Sequence, residues 1–141
     1  MNPGNLTKNF TLPEFLKSKI ADKNGFKEQY QPPDMVVKNL QILCENVLQP
    51  LRDLIGEVSI SSGYRCERVN KAAGGKSLSQ HTTGNAADIQ FFEYGKMNNR
   101  IIIDAILENN IEFDQMIWEN GGQWIHISYK QGKNRKQYFT L

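Results

Sequence analysis

The chain lacks long apolar runs and contains little cysteine. No window approaches the roughly 20 consecutive apolar residues that a membrane-spanning helix needs, so the sequence excludes a transmembrane segment. The two cysteines among the 141 residues, Cys44 and Cys66, form no C-x-x-C pair, which excludes cysteine-based zinc sites and thioredoxin-like redox sites. We expect both to be free thiols, with Cys44 acting as a small core residue.

The chain also lacks an excess of charge of either sign. Lys and Arg number 17 against 15 Asp and Glu, a formal net charge of +2, which is too small to predict a nucleic-acid-binding surface. One basic cluster lies near the C-terminus, at Lys130, Lys133, Arg135 and Lys136. Such a cluster is typical of a solvated turn between strands, and a mild attraction to an anionic polymer is the alternative.

The first nine residues are polar and lack the apolar run of a secretory signal. We therefore expect the chain to be made and kept in the cytosol, or to be released by a route other than its own leader. The composition is 39% hydrophobic and 23% charged residues, which at this length predicts one globular domain with a core of its own.

Helical patterns dominate the first part of the chain and strands dominate the later part. Apolar residues recur at helical steps from Val36 to Leu54, and a kink or break is predicted at Pro50, which has no amide donor. Strands are predicted at 58–61, 86–92, 113–118, 123–129 and 138–141, and further helices at 67–73 and 97–108. Asn120-Gly121-Gly122 is a hairpin signal, and the short connections predict the α+β class.

Each of the two histidines lies in an unusual context. His81 begins a segment that leads through Gly84 to Asp88, so it is predicted just before a tight turn, with Asp88 in the strand that follows. In Trp124–Ser128 the alternation of a strand places His126 opposite the two isoleucines, on the side that carries an aromatic ring and a hydroxyl. Two imidazoles and a carboxylate on one sheet would suit a catalytic zinc site, whereas structural or surface histidines are the alternative from spacing alone.

Three ordered blocks of the sequence resemble the signature of the zinc M15 peptidases. They are Ser61-Ser62-Gly63-Tyr64-Arg65, the segment from Ser79-Gln80-His81 through Gly84 to Asp88-Ile89, and Trp124-Ile125-His126-Ile127-Ser128. The order and approximate spacing match as well. The family contains D-alanyl-D-alanine carboxypeptidases and dipeptidases, and phage endolysins that cut peptidoglycan; the short phage and prophage members are the most similar.

The resemblance implies an α+β fold like that of hedgehog and the DD-peptidases, with a mostly antiparallel sheet and helices packed on one side. The likeness covers roughly residues 34–141, which we take as the peptidase domain. Residues 1–33 are then an N-terminal extension, which we expect to pack on the sheet or to border the cleft.

The resemblance also implies that His81, Asp88 and His126 bind Zn²⁺. It suggests that Arg65 holds the substrate or stabilises the charge that develops on the scissile carbonyl, for which a permanent cation with forked donors is suited. A structural salt bridge is the alternative for Arg65.

Four further residues are candidates for supporting the metal ligands or contacting substrate. They are Ser79, Gln123, Trp124 and Ser128. The two serines could equally be ordinary turn and strand hydroxyls.

The sequence departs from the best-known members at the general base. Those members carry an acid three positions before the last zinc histidine, where this chain has Gln123, a neutral amide that cannot take a proton from water. Glu119 is the nearest acid across the predicted turn and is our candidate base or acid, with Asp114 as a weaker candidate. The short phage-type members also lack an acid at this position, so Gln123 does not by itself indicate inactivity.

These observations predict a zinc-dependent peptidase that acts as a monomer on peptidoglycan stem peptides and binds no nucleic acid. It would reach the cell wall after release from the cytosol, as phage lysins do. A catalytically weak or inactive zinc-containing module, which binds wall peptide or assembles into a phage structure, is the alternative that Gln123 favours. A hedgehog-type signalling domain is more remote, because the chain is small and shows no leader.

Overall fold

The structure is a computed structural model that describes residues 4–141. The helices are α1 (Leu12–Leu16), α2 (Lys19–Asn24), α3 (Asp34–Leu43), α4 (Gln49–Ile55), α5 (Glu67–Ala72) and α6 (Arg100–Glu108). The strands are β1 (Ser59–Ser62), β2 (Ala86–Gln90), β3 (Phe92–Glu93), β4 (Lys96–Met97), β5 (Gln115–Glu119), β6 (Trp124–Ser128) and β7 (Gln137–Thr140). Single 3-10 turns occur at Lys27–Tyr30, Gln80–Thr83 and Asn120–Gly122. None of the helices in residues 4–141 is long and apolar enough to cross a membrane.

Five strands form one mixed sheet in the order β1-β2-β6-β5-β7, and β3 and β4 form a separate two-stranded ribbon. The pairs β1–β2, β2–β6 and β5–β6 are antiparallel, whereas β7 runs parallel to β5. The predicted α+β class is confirmed, but the prediction of a mostly antiparallel sheet is corrected to a mixed one. The reason is that the chain reverses after β6 and then lies beside β5 instead of β6, so β7 takes the direction of β5.

The long helical pattern is interrupted where Pro50 occurs. α3 ends at Leu43, a π-helical turn covers Cys44–Leu48, and α4 begins at Gln49 with Pro50 in its first turn. Because proline has no amide hydrogen, a regular α-helical bond cannot form there, and a locally wider turn lets the helix continue. The kink or break predicted at Pro50 takes the form of a π-helical turn before it, through which the helix continues.

The hydrophobic core lies between these helices and one face of the sheet. The sheet contributes fully buried isoleucines from β2 and β6 and Met116 from β5, and the helices contribute Leu40, Leu51 and Ile106. Side chains alternate across a strand, so the opposite face of β2 and β6 carries Asp88 and His126. The fold therefore places polar, chemically active side chains on the face that the core does not use.

Apolar residues of the predicted N-terminal extension share this core. Phe10 and Phe15 are buried, with their ring centroids 6.2 Å apart, and they belong to the same apolar cluster as the sheet isoleucines. Residues 1–3 lie outside the described residues, and the boundary after residue 33 stays a prediction.

A buried glutamine joins the N-terminal segment to the loop that follows β1. Gln29 Nε2 donates to the carbonyls of Leu16 and Tyr64, at 2.8 and 2.9 Å, and its Oε1 accepts from the Cys66 amide at 2.8 Å. The side chain is completely buried, so these bonds replace the water that the amide loses on folding.

We expect Gln29→Met to destabilise the protein strongly. The substitution leaves two buried carbonyls and one buried amide without their partner, so the free energy of unfolding should fall by at least about 2 kcal/mol. Urea unfolding measures this, with Gln31→Met at an exposed position as the control. A loss no larger than that of the control would contradict the assignment.

Candidate metal centre

Two strands and one turn bring three potential ligands together. Asp88 on β2 and His126 on β6 are direct partners across an antiparallel pair, so their side chains leave the same face of the sheet. His81 lies in the 3-10 turn of residues Gln80–Thr83 immediately before β2.

Gly84 allows the turn to pack closely enough for this arrangement. Its φ is +78°, a left-handed conformation, and a Cβ at this position would lie 2.6 Å from the carbonyl oxygen of Val36 on α3. A side chain would therefore be strained in conformation and blocked by backbone. The glycine lets the chain turn against α3 and return into β2 with His81 beside the sheet.

The three side chains converge on one carboxylate oxygen. His81 Nε2 lies 3.2 Å and His126 Nδ1 lies 3.3 Å from Asp88 Oδ1. One ligand atom from each residue lies within 4.8 Å of the others, and all three residues are buried. The structure thus brings together the three residues that the sequence indicates as metal ligands.

The outer nitrogen of each ring faces an oxygen acceptor. His81 Nδ1 lies 2.7 Å from the carbonyl oxygen of Gly63, and His126 Nε2 lies 3.2 Å from Oε1 of Gln80. A carbonyl oxygen only accepts hydrogen bonds, so in a neutral imidazole these outer nitrogens carry the proton. The inner nitrogens, which face Asp88, can then present lone pairs to a metal ion; without an ion, a second proton on each ring would be donated from these nitrogens to Asp88.

This donor set fits a divalent transition-metal ion. Two imidazole nitrogens and a carboxylate oxygen face one another inside the protein, an arrangement that a cation or additional protons at its centre would stabilise. Two ligands bound at about 2.0–2.1 Å to a tetrahedral ion are about 3.3 Å apart, close to the contacts of Asp88 with the two rings.

The carboxylate of Asp88 is ionised, which is the form that binds a metal ion. Burial alone raises its pKa, but hydrogen bonds from His126 and His81, together with their charge when protonated, hold the pKa of Asp88 well below its usual range. The group is therefore ionised at neutral pH even without a metal ion.

Arg65 lies at the edge of this cluster. Its Nη2 is 3.4 Å from Asp88 Oδ2, while Nε donates to Ser62 Oγ at 3.2 Å and Nη1 to Asn70 Oδ1 at 3.5 Å. The guanidinium is mostly buried and is held on three sides. The salt bridge considered from the sequence is present, and it places the cation next to a ligand oxygen.

A cavity of about 600 Å³ adjoins Arg65. The loop after β1 lines it on one side, and residues Lys17–Ile20 of the N-terminal segment line it on another. Its size is within the range of ordinary ligand sites, so a short stretch of peptide could occupy it. Part of residues 1–33 thus borders a cleft beside the cluster.

The two candidate serines bind backbone groups. Ser79 Oγ accepts from the amide of His81 at 3.2 Å, which holds the turn instead of the imidazole. Ser128 is fully buried, and its Oγ accepts from the amide of Gln115 at 3.0 Å, so it links β6 to the start of β5. Both serines therefore position the strands and turn that carry the histidines.

Glu119 and Trp124 are partners across β5 and β6. Trp124 Nε1 donates to Glu119 Oε2 at 2.5 Å. Ile117 is the residue opposite His126, so Glu119 lies two residues further along the same face, about 7 Å along the strand. Gln123 is exposed in the turn before β6, and its carbonyl accepts from Gln90 at 2.8 Å.

Asp114, the weaker candidate base, forms an ion pair with Arg135. It is fully buried, and its carboxylate accepts from Arg135 Nε and Nη2 at 2.9 and 2.8 Å. The Arg135 guanidinium lowers the pKa of Asp114 to about 2, so this carboxylate is a poor proton acceptor at neutral pH. Arg135, a member of the C-terminal basic cluster, thus has a structural partner.

The sequence patterns did not indicate the residues that contact the outer nitrogens of the two histidines and the guanidinium of Arg65. The Gly63 carbonyl contacts His81, the Gln80 side chain contacts His126, and Asn70 contacts Arg65. The available signal for Gln80 was its position directly before His81 in the second motif.

The chain was also compared with known proteins. The family model described as Peptidase M15 matches residues 8–128. The match contains every residue of the cluster and includes residues 8–33, which the motif-based resemblance leaves out. No curated protein matches the chain.

We expect a divalent transition-metal ion to raise the melting temperature of the wild type and not that of Asp88→Asn. A ligand present at 100 times its dissociation constant stabilises the folded state by about 2.7 kcal/mol, whereas the substitution removes the charged ligand and keeps its shape. Thermal unfolding with and without added Zn²⁺ measures the difference. Asp104→Asn, which alters the exposed Arg100–Asp104 pair, is the matched control; equal stabilisation of the wild type and Asp88→Asn would contradict the site.

Proposed function

Since the chain belongs to the peptidase M15 family, we propose that it is a zinc-dependent peptidase that hydrolyses peptide bonds in peptidoglycan. The observation that carries the proposal is the convergence of His81, Asp88 and His126 on one buried point. A hedgehog/DD-peptidase-like topology, a monomeric state and action at the cell wall after release from the cytosol belong to the same proposal.

Zinc suits this donor set. Two neutral imidazoles and one carboxylate are typical protein ligands of catalytic Zn²⁺, which leaves a fourth position for water or substrate. A bound zinc ion would lower the pKa of its water towards about 7 and polarise the substrate carbonyl. The protein holds the ligand atoms ready, because the sheet pairing and the outer contacts of both rings fix their directions.

Arg65 is the proposed electrostatic partner of the scissile carbonyl. Ser62 and Asn70 hold its guanidinium beside Asp88, so the cation is positioned before the substrate arrives. As the carbonyl oxygen gains negative charge, Arg65 would donate hydrogen bonds to it.

Glu119 is the proposed proton-transfer group. Gln123 cannot accept a proton, and Glu119 lies on the sheet face that carries the metal ligands. The indole of Trp124 holds Oε2 of the carboxylate, which orients the group while Oε1 would exchange the proton with water or the leaving amine.

The cavity beside Arg65 is the proposed peptide-binding cleft. Lys17, Lys19 and Arg65 outnumber the one acidic residue of its lining, Asp22, and this balance suits the carboxylates of peptidoglycan stem peptides. The scissile bond would join D-Ala to D-Ala or L-Ala to D-Glu, or lie in a cross-link, depending on the cleft shape.

Digestion of defined muropeptides tests the activity. The wild type should release a peptide fragment that mass spectrometry assigns to one bond, and both a chelator and His81→Ala should reduce turnover to background, because either removes the metal. Asp104→Asn should keep full activity. Absence of any product from zinc-loaded wild type would contradict the enzyme assignment.

Substitution of Glu119 tests its role separately. Glu119→Gln keeps an oxygen that can accept from Trp124 and removes the ability to take up a proton, so kcat should fall about 10²- to 10⁴-fold at unchanged zinc content. A full hydrolytic rate with zinc bound would show that another group transfers the proton.

A non-catalytic module that binds wall peptide or assembles into a phage structure is the second candidate. The amide of Gln123, where the best-known members carry an acid, favours it. Zymography on purified cell walls separates the two: clearing that a chelator abolishes supports the peptidase, and bound zinc without clearing supports the module.

A further inference from the structure

A row of three side chains extends from His126 away from the metal cluster. His126 Nε2 lies 3.2 Å from Oε1 of Gln80, and Gln80 Nε2 donates to Asp114 Oδ2 at 2.7 Å. Arg135 completes the row with two hydrogen bonds from its guanidinium to Asp114. These residues come from three separate segments: the turn before β2, the residue before β5 and the loop before β7.

Asp114 is held as a carboxylate that can only accept hydrogen bonds. Besides the guanidinium of Arg135, the Arg135 backbone amide donates to it at 3.0 Å, and the side chain is fully buried. The arginine lowers the pKa of Asp114 to about 2, so the group carries no proton in the neutral range.

This carboxylate determines which way the amide of Gln80 faces. The NH₂ group must point to Asp114, because the reverse orientation would place the amide oxygen against a carboxylate oxygen. The amide oxygen of Gln80 therefore points to His126 and can only accept from it. A neutral His126 can therefore donate its proton from Nε2 to Gln80, in competition with Asp88 Oδ1, which lies 3.3 Å from Nδ1.

We propose that Gln80, Asp114 and Arg135 are positioning residues that hold His126 in the Nε2–H tautomer, with the Nδ1 lone pair directed towards Asp88 and His81. The inference rests on the metal site of the proposed function and is independent of which bond the protein cleaves.

If this row were lost, a new hydrogen bond from His126 to Asp88 would compete with metal binding. Without an acceptor at Nε2, the proton would move to Nδ1 and be donated to Asp88 Oδ1, 3.3 Å away. A charge-assisted bond of this kind would have to break before Nδ1 could bind a metal ion. Residues that hold the far side of a metal-binding histidine typically contribute about 10- to 100-fold to metal affinity.

His81 provides an internal reference. Its outer nitrogen faces the backbone carbonyl of Gly63, which no substitution in the row removes. The tautomer of His81 should therefore stay Nδ1–H in every variant, whereas that of His126 should respond.

Long-range ¹H–¹⁵N NMR of the imidazoles tests the proposal, at a pH where both rings are neutral. In the metal-free wild type we expect Nε2–H for His126. In Gln80→Met we expect a change to Nδ1–H, with zinc affinity, measured by competition with a chromophoric chelator, weaker by about 10- to 100-fold. Gln137→Met, which removes an exposed glutamine pair with Gln115, should leave tautomer and affinity unchanged.

A second pair of variants separates tautomer control from packing. Asp114→Asn introduces a donor, so the amide of Gln80 can reverse and donate to His126, which should shift His126 towards Nδ1–H. In the double variant Asp114→Asn with Gln80→Glu, the carboxylate at position 80 can only accept hydrogen bonds. The Nε2–H tautomer of His126 and most of the lost zinc affinity should therefore return. Asp104→Asn is the control for altering an arginine-paired aspartate.

Two results would overturn the proposal. One is an unchanged His126 tautomer in Gln80→Met, whether or not zinc affinity falls, because affinity lost without a tautomer change would mean a merely structural role. The other is a failure of the double variant to restore Nε2–H. A wild type that binds no zinc would refute the proposed function instead, and the metal-free tautomers would still decide this inference.

Discussion

The burial of one carboxylate between two imidazoles is the constraint on which the rest of the site depends. Asp88 Oδ1 faces Nε2 of His81 and Nδ1 of His126, and all three groups are removed from solvent. Such a set is stabilised by positive charge at its centre, either additional protons on the rings or a metal ion. The pairing of β2 with β6 holds two of the groups, and the Gly84 turn supplies the third.

The loop that follows β1 joins this cluster to the N-terminal segment. The Gly63 carbonyl contacts His81, Arg65 contacts Asp88, and the amide of Cys66 donates to the buried Gln29. A Cβ on Gly63 would lie 2.6 Å from the carbonyl oxygen of Phe15, so the loop packs against α1 too closely for a side chain. The N-terminal residues thus support the site, which agrees with a family match that begins at residue 8.

The groups that could bind a metal ion and those that could transfer a proton are not equally well placed in the site. The ligand cluster and the arginine beside it are complete, whereas the position three before His126 holds the neutral amide of Gln123. Glu119 lies on the same face of the sheet as His126, and its carboxylate accepts a hydrogen bond from Trp124. It is, however, two residues further along β5 than Ile117, the residue opposite His126. In the proposed peptidase, proton transfer is therefore the step that depends most on groups outside the family motifs.

Local sequence patterns were sufficient for much of the fold, whereas the candidate ligands were identified through the family resemblance. The alternation in β6 predicted which side of the sheet His126 occupies, and the missing amide hydrogen of Pro50 predicted an irregularity in the helix, which is the π-helical turn between α3 and α4. His81, Asp88 and Arg65 were identified through the resemblance of their three ordered motifs to those of the M15 peptidases, because spacing alone left structural roles open for them. The strand alternation and the helix irregularity depend on backbone geometry within a few residues, which the sequence encodes directly.

The tertiary structure alone decided which distant segments became partners. The direction of β7 depends on which strand it lies beside, so the mixed sheet could not be read from the strand pattern. The row of Gln80, Asp114 and Arg135 joins three segments that are separated along the chain, and the role of each depends on the donor or acceptor that packing places next to it. Periodicity predicts which residues face inward, whereas the identity of their partners is determined only when the whole chain packs.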